Sequence, residues 1–321
     1  MGALTSTTLA RLHLLRDGAM VVAWPATVLE VSGPGALSCL QGLLTNDLEK
    51  PGDGSLVYGA LLTPKGAIVV DLWVLRLGER YLLLAESEAR PTVLDLLRKS
   101  LPPRLARVKD LSDTHSVLRL LGTDAGGRNA AAGLAAIPAI GRASEADGIV
   151  AARADVTAPF HALLIGEHEA IAGARARLLK AGAEPGTLDD LESARILAGW
   201  PRLGREIQDK TLVQEVRYDD IGGVSYTKGC YTGQETVARL HFRGHTNREL
   251  RGLRWISAPT GEGDEVVDAG GKEIGRVTSR LILPDQWLAL ASIRREVVPG
   301  TVVTAAGAPA SVVTLPFPLT E

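Results

Sequence analysis

The chain has 321 residues, 45% of them hydrophobic and 22% charged, and a net charge of −2. That length exceeds one minimal domain of ~100–200 residues, and the composition excludes a disordered chain, a collagen and a coiled coil. The near-neutral charge argues against a basic nucleic-acid surface. Two cysteines, Cys39 and Cys230, are too few for a disulfide framework or a Cys-rich zinc site, which points to a reduced, cytoplasmic setting and no metal centre.

The first fifteen residues have no apolar leader core, and no run approaches the ~20 apolar residues of a membrane span, so no membrane partner is expected. Residues 20–31 read as one strand rich in Val, Leu and Trp, with Pro25 inside it. Residues 36–48 follow a helical period, with Leu37, Leu40, Leu44 and Leu48 on one face. Three strands are predicted at 56–62, 67–77 and 81–85, the first two joined by the turn Thr63-Pro64-Lys65-Gly66. A helix over 91–101 starts with Pro91 and stops at Pro102-Pro103. The idiom then repeats: a strand at 116–121, a helix at 126–136, strands at 148–156 and 159–165, and a helix at 167–181.

The helix over 187–200 has the clearest limits. Thr187 caps it, Asp190 supplies a capping-box partner, and Gly199 and Pro201 end it. After residue 251 the runs are short, β-rich and separated by Gly or Pro turns, which predicts a small antiparallel barrel. The fold class is therefore α+β. An N-terminal α+β module spans 1–110, a second one spans 111–248, and a C-terminal β-barrel spans 249–321.

The segment with most chemistry is 222–240. Val224-Ser225-Tyr226 reads as strand, residues 228–233 form a glycine-punctuated loop, and Gln234 opens a helix. A glycine loop at a helix N-terminus offers free N–H groups and the positive end of the dipole, and Lys228 adds a full charge; together they suggest an anion or carboxylate cradle. The same surroundings favour the Cys230 thiolate, with Glu235 opposing. On residue types alone, a plain helix-entry turn with surface charges and a packed cysteine explains the loop equally well.

Lys228-Gly229-Cys230-Tyr231-Thr232-Gly233-Gln234-Glu235 resembles, at all eight positions, the KGCYxGQE signature of the YgfZ family, tetrahydrofolate-binding relatives of the glycine-cleavage T-protein linked to assembly or repair of iron–sulfur proteins. Residues 41–47 resemble the family's QGLLTND segment. Residues 61–66, followed by Asp71, resemble its hairpin, and residues 192–201 and 275–279 resemble its central helix and barrel strand. The resemblance implies two related α+β modules and the barrel around a central cavity that holds tetrahydrofolate. It implies folate contacts from Gln41, Asn46, Asp71, Lys228, Tyr231 and Gln234, with Asp71 and Cys230 as candidate catalytic or contact groups. It also implies iron–sulfur enzymes or assembly proteins as partners.

Two features depart from the pattern. The T-protein hairpin carries two adjacent acids where this chain has Val70-Asp71, which counts against aminomethyl transfer, and no Asp-Pro-Arg turn occurs near 137–142. An aminomethyltransferase and a folate-free scaffold that docks partners remain the alternatives. Trp24 and Trp200 are candidates to stack a pterin or aminobenzoyl ring, or to sit in the core, and Arg239 with Arg243 could face a glutamate tail or water. Gly33-Pro34-Gly35 lacks the third glycine of a dinucleotide loop, His241 and His245 have no third metal ligand, and Cys39 reads as packing. No interface stripe stands out, so a monomer is expected.

Overall fold

The computed structural model describes residues 3–317. Pro25 decides how the chain enters the fold. The single strand expected over 20–31 is two strands, Met20–Trp24 and Ala26–Ser32, and they belong to different sheets. Proline has no N–H to continue a ladder, and the chain changes sheets at that residue.

The first sheet has the spatial order Ser55–Leu62, Ile68–Leu77, Arg80–Glu86, Ala26–Ser32, Arg107–Asp110, all antiparallel. Alternation along these strands sorts the side chains. Val70, Leu72, Val74 and Leu83 pack under helices Ala36–Gln41 and Arg90–Ser100, and Tyr58, Trp73, Leu82 and Leu84 turn the other way. The second sheet joins Glu184–Pro185, Met20–Trp24, His115–Leu121, Ala162–Glu167, Ile149–Arg153 and Ala143–Ala146. Helices Ala125–Ala131 and His168–Lys180 cover Leu118, Leu120 and Leu164 on one of its faces. Its other face, with Val22, Trp24, Val117, Leu121 and Leu163, joins the inner face of the first sheet in one central core.

The third unit is the expected barrel. Six antiparallel strands close on themselves in the order Glu273–Ile282, Glu265–Val267, Val302–Ala305, Ala308–Val313, Arg248–Trp255, Trp287–Arg294. Closure leaves a ring with an apolar interior of Leu253, Val266, Ala289, Ala291 and Val312. The strand Ala3–Ser6, which the sequence pattern does not reveal, lies parallel along Glu273–Ile282.

Helix Leu188–Ala198 ties the units together. Its capping box forms as expected: Thr187 Oγ1 accepts from the Asp190 N–H, and Asp190 accepts from the Thr187 N–H. Gly199 ends it in the left-handed conformation, at φ 63°. Arg195 on this helix is buried. It donates to Glu206 at 2.8 Å, to Glu192, to the Trp200 carbonyl and to Ser279 Oγ in the barrel. Every donor direction of the fork that reaches the interior has an acceptor, which is the condition for burying such a charge.

The helix expected over 36–48 ends at Gln41. Residues 43–48 are turns, held by their own Asn and Asp side chains, although Leu40, Leu44 and Leu48 are all buried as the periodicity requires. Asn, Asp and Thr compete with the helix for backbone hydrogen bonds, and here they win. The strand expected at 224–226 is irregular chain. Among the described residues no helix is long and apolar enough to cross a membrane.

Candidate functional site

The signature loop is built against the turn at 41–47. Lys228 Nζ donates to the carbonyls of Gln41, Leu44 and Asn46 at 2.8, 2.6 and 2.9 Å. The Thr232 N–H donates to the Gly42 carbonyl, and the Tyr231 N–H to Gln234 Oε1. Two glycines permit the loop to meet the hairpin tip. A Cβ at Gly66 (φ +85°) would lie 2.8 Å from Thr236, and one at Gly233 (φ +82°) would lie 2.6 Å from the Thr63 carbonyl oxygen. Burial pushes the Lys228 ammonium down to about 8, with Asp47 opposing. Its ammonium stands 5.1 Å from the Tyr231 ring centroid. Burial likewise pushes the Tyr231 phenol up to about 12.

This geometry gives four of the residues expected to contact the ligand partners within the protein. Lys228 spends all three protons on backbone carbonyls, so it staples the loop and does not face an anion. Gln41 bridges the Asp47 carboxylate and the Leu48 N–H. Asn46 donates to the carbonyls of Tyr58 and Gly222 and accepts from the Asp47 N–H. Gln234 holds Tyr231. These bonds close the turn and the loop, and among the described residues Gln234 keeps its amide NH2 uncommitted. Arg239 lies exposed on helix Gln234–Arg243, and Cys230 is exposed on the loop. Cys39 is half-buried beside the apolar residues of its helix, as its sequence context suggests.

Asp71, Trp24 and Trp200 do meet, in a cleft between the two sheets that also has Glu86, Arg119, Pro159 and Arg202 in its walls. Asp71 Oδ2 accepts from Tyr58 OH at 3.0 Å, and Tyr58 OH lies 3.2 Å from Tyr218 OH. Burial pushes the Asp71 carboxyl up to about 6, and the charge of Glu86 acts in the same direction. Trp200 stacks on Trp73 at 5.6 Å and 11°, so it is both core and cleft wall. Trp24 donates from Nε1 to Glu86, while the Arg119 guanidinium covers its ring at 3.5 Å. Val70 faces the opposite core, buried under the helices, so an acid missing there removes nothing from this cleft.

The cleft itself has only about 30 Å³ of space, enough for one or two waters or a small polar group. Pro159 also lines a much larger neighbour, a cavity of about 620 Å³ walled by Leu121, Phe160, Ala194, Leu197, Ile221 and Phe317. That volume falls within the ~300–1,000 Å³ of cofactor-sized sites. Two of its polar groups lack protein partners. His161 Nε2 is buried with no hydrogen bond, and burial, with the charge of Arg153 acting the same way, lowers the pKa of its imidazole. Arg153 makes no ion pair among the described residues. The site residues that sequence reasoning missed are therefore Arg119, Arg153 and His161. Arg119 did leave a signal: it is a charged residue at an inward position of the apolar run 117–121.

Known proteins agree with this architecture. The GCVT N-terminal domain family matches residues 23–129. The tRNA-modifying protein YgfZ of Edwardsiella ictaluri (strain 93-146) is 32% identical over 240 residues, 70% of this chain and 68% of that protein. The mitochondrial iron-sulfur cluster assembly factor IBA57 of Homo sapiens is 29% identical over 268 residues, 78% of this chain and 71% of that protein. The crystal structure of glycine cleavage system aminomethyltransferase T from Bartonella henselae superposes with a TM-score of 0.85. It covers 97% of this chain and 89% of that one at 24% identity, a likeness of fold.

Proposed function

The chain belongs to the YgfZ family, and from that premise we propose that it binds tetrahydrofolate in the cavity between its second sheet and helix Leu188–Ala198 and supports the assembly or repair of iron–sulfur enzymes. The observation that carries the reading is the 620 Å³ cavity with its unpartnered Arg153 and orphaned His161 nitrogen. Its apolar walls suit the flat rings of a folate. Its free cation suits a glutamyl carboxylate, and a buried ring nitrogen without a partner calls for a ligand donor or acceptor. Bound tetrahydrofolate would supply a carrier for a one-carbon unit. The chain's own part is to orient it, to exclude water with Phe160, Leu197 and Phe317, and to hold the Asp71 carboxyl at the edge of the cleft.

The names of relatives support the second half of the reading, since they are an iron-sulfur cluster assembly factor and a tRNA-modifying protein. Exposed Cys230, displayed on a stapled loop, is the group through which we expect a client to be met. The test is a deletion strain complemented with this chain. Wild type restores iron–sulfur enzyme activity, and Cys230→Ser, which nearly keeps size, does not. Full rescue by Cys230→Ser would remove the thiol from the account. Failure of wild type to rescue would remove the iron–sulfur role.

One observation favours a second reading, a one-carbon transferase. A carboxyl whose pKa is pushed up to about 6 at the wall of a cleft is suited to general acid–base work. Release of ammonia and methylenetetrahydrofolate from a loaded carrier protein would support it.

A further inference from the structure

Arg119 stands out among the buried cations. It sits on strand His115–Leu121 between Val117 and Leu121, opposite Val22, so alternation aims it at the centre of the molecule. Its guanidinium carbon lies 3.5 Å over the Trp24 ring and 4.8 Å from the Phe160 ring centroid. Those contacts fix the plane of the fork and consume no N–H. Among the described residues it makes no hydrogen bond and no ion pair, and its Nε is buried without a partner. The obvious acid, Glu86, is engaged instead by Trp24 Nε1 at 3.3 Å and by Arg202 at 3.6 Å.

Other inward arginines of this chain behave differently. Arg195 binds two carboxylates, a hydroxyl and a carbonyl, and Arg217 holds the carbonyls of Ala198, Gly199 and Leu315. An arginine kept for structure spends its donors; one whose donors end in a cleft is held for something that arrives.

We infer that Arg119 anchors an sp² oxygen of the bound ligand, a carbonyl or a carboxylate, inserted into the cleft between Arg119 and Asp71 from the adjoining cavity. The inference rests on the folate reading above. The cleft has room for such a group and not for a whole ring, while the body of the ligand lies beyond Pro159 in the larger space. The planar fork supplies donors to such an oxygen, and the Asp71 carboxyl across the cleft accepts from an N–H adjoining the oxygen or, when protonated, donates to it. Tetrahydrofolate carries such an oxygen at both ends: the ring carbonyl of the pterin and the carboxylates of the glutamyl tail.

The test is an anaerobic titration of the full chain, followed by tryptophan fluorescence, since Trp24 lies under the guanidinium. Arg119→Met and Arg119→Lys are compared with wild type using tetrahydrofolate and tetrahydropteroate, which lacks the glutamate. Melting curves report folding. Loss of one charge-assisted fork should weaken tetrahydrofolate about tenfold or more in Arg119→Met. Arg119→Lys keeps the charge and loses the fork, so it should recover only part of that loss; it carries the test alone if Arg119→Met does not fold.

An equal deficit with tetrahydropteroate puts the oxygen on the pterin. A deficit confined to tetrahydrofolate puts it on the glutamyl tail. Wild-type affinity in both variants overturns the role of Arg119 and leaves the folate reading standing. Absence of binding by wild type overturns both.

Discussion

Replacing Asp71 by Asn asks whether the cleft holds its acid at a cost to the fold. The folded-state carboxyl titrates near 6 against an ordinary 3.8, because it is buried and faces Glu86. The folded protein therefore binds this proton more tightly than the unfolded chain, and between pH 3.8 and 6 the unfolded state holds fewer protons. Stability then falls as pH rises through that window. The cost is absent below about pH 3.8 and fully present above about pH 6. The gap corresponds to about 3 kcal/mol. Asn keeps the shape and can still accept from Tyr58 OH, but it cannot ionise. In urea unfolding followed from pH 3.5 to 7.5, the stability of Asp71→Asn minus that of wild type should rise by about 3 kcal/mol and level off above pH 6. Glu86→Gln should shift the wild-type window toward lower pH. A difference between Asp71→Asn and wild type that is constant across the range would refute the reasoning and make Asp71 an ordinary solvated acid.

Three further outcomes follow from the same contacts. Lys228→Met leaves three carbonyls without their shared cation, so it should cost about 2–3 kcal/mol in urea unfolding and expose residues 224–233 to faster amide exchange. Unchanged exchange there would mean that the staple is ornamental. Arg195→Met strands Glu206, whose side chain is fully buried, and should cost about 3–5 kcal/mol, whereas Arg195→Met combined with Glu206→Gln should recover part of that loss. Gly223→Ala places a methyl 2.5 Å from the Tyr218 ring and should destabilise by about 1–3 kcal/mol, read as a lower melting temperature.

Local signals in the sequence were sufficient for much of this fold. Thr187 and Asp190 form the capping box, Pro91 lies in the first turn of its helix, and the turn at 63–66 joins two strands, because each depends only on neighbours a few residues away. The barrel was readable for the same reason, from short β-rich runs between turns. Pro25 was misread because a proline inside an apolar run looks like a tolerated edge residue, and only the tertiary fold reveals that the chain changes sheets there. The site was less legible. Lys228 and Asn46 carry the chemistry of ligand contacts, yet contacts spanning more than 170 residues, Lys228 to Leu44 and Asn46 to Gly222, absorb them. Arg119 had the opposite fate: it looked like one basic residue in an apolar strand, and its meaning depends on Trp24, Phe160 and Glu86 arriving from three other segments.

The central claim is that the cavity between the second sheet, helix Leu188–Ala198 and the chain at Phe317 takes tetrahydrofolate, and calorimetric titration of the reduced protein under anaerobic conditions tests it most directly. Wild type should bind saturably with one site, and Ala194→Phe, which pushes a ring into the cavity from helix Leu188–Ala198, should bind at least about tenfold more weakly while melting normally. No saturable binding at near-millimolar ligand, or equal binding by Ala194→Phe, would contradict the account.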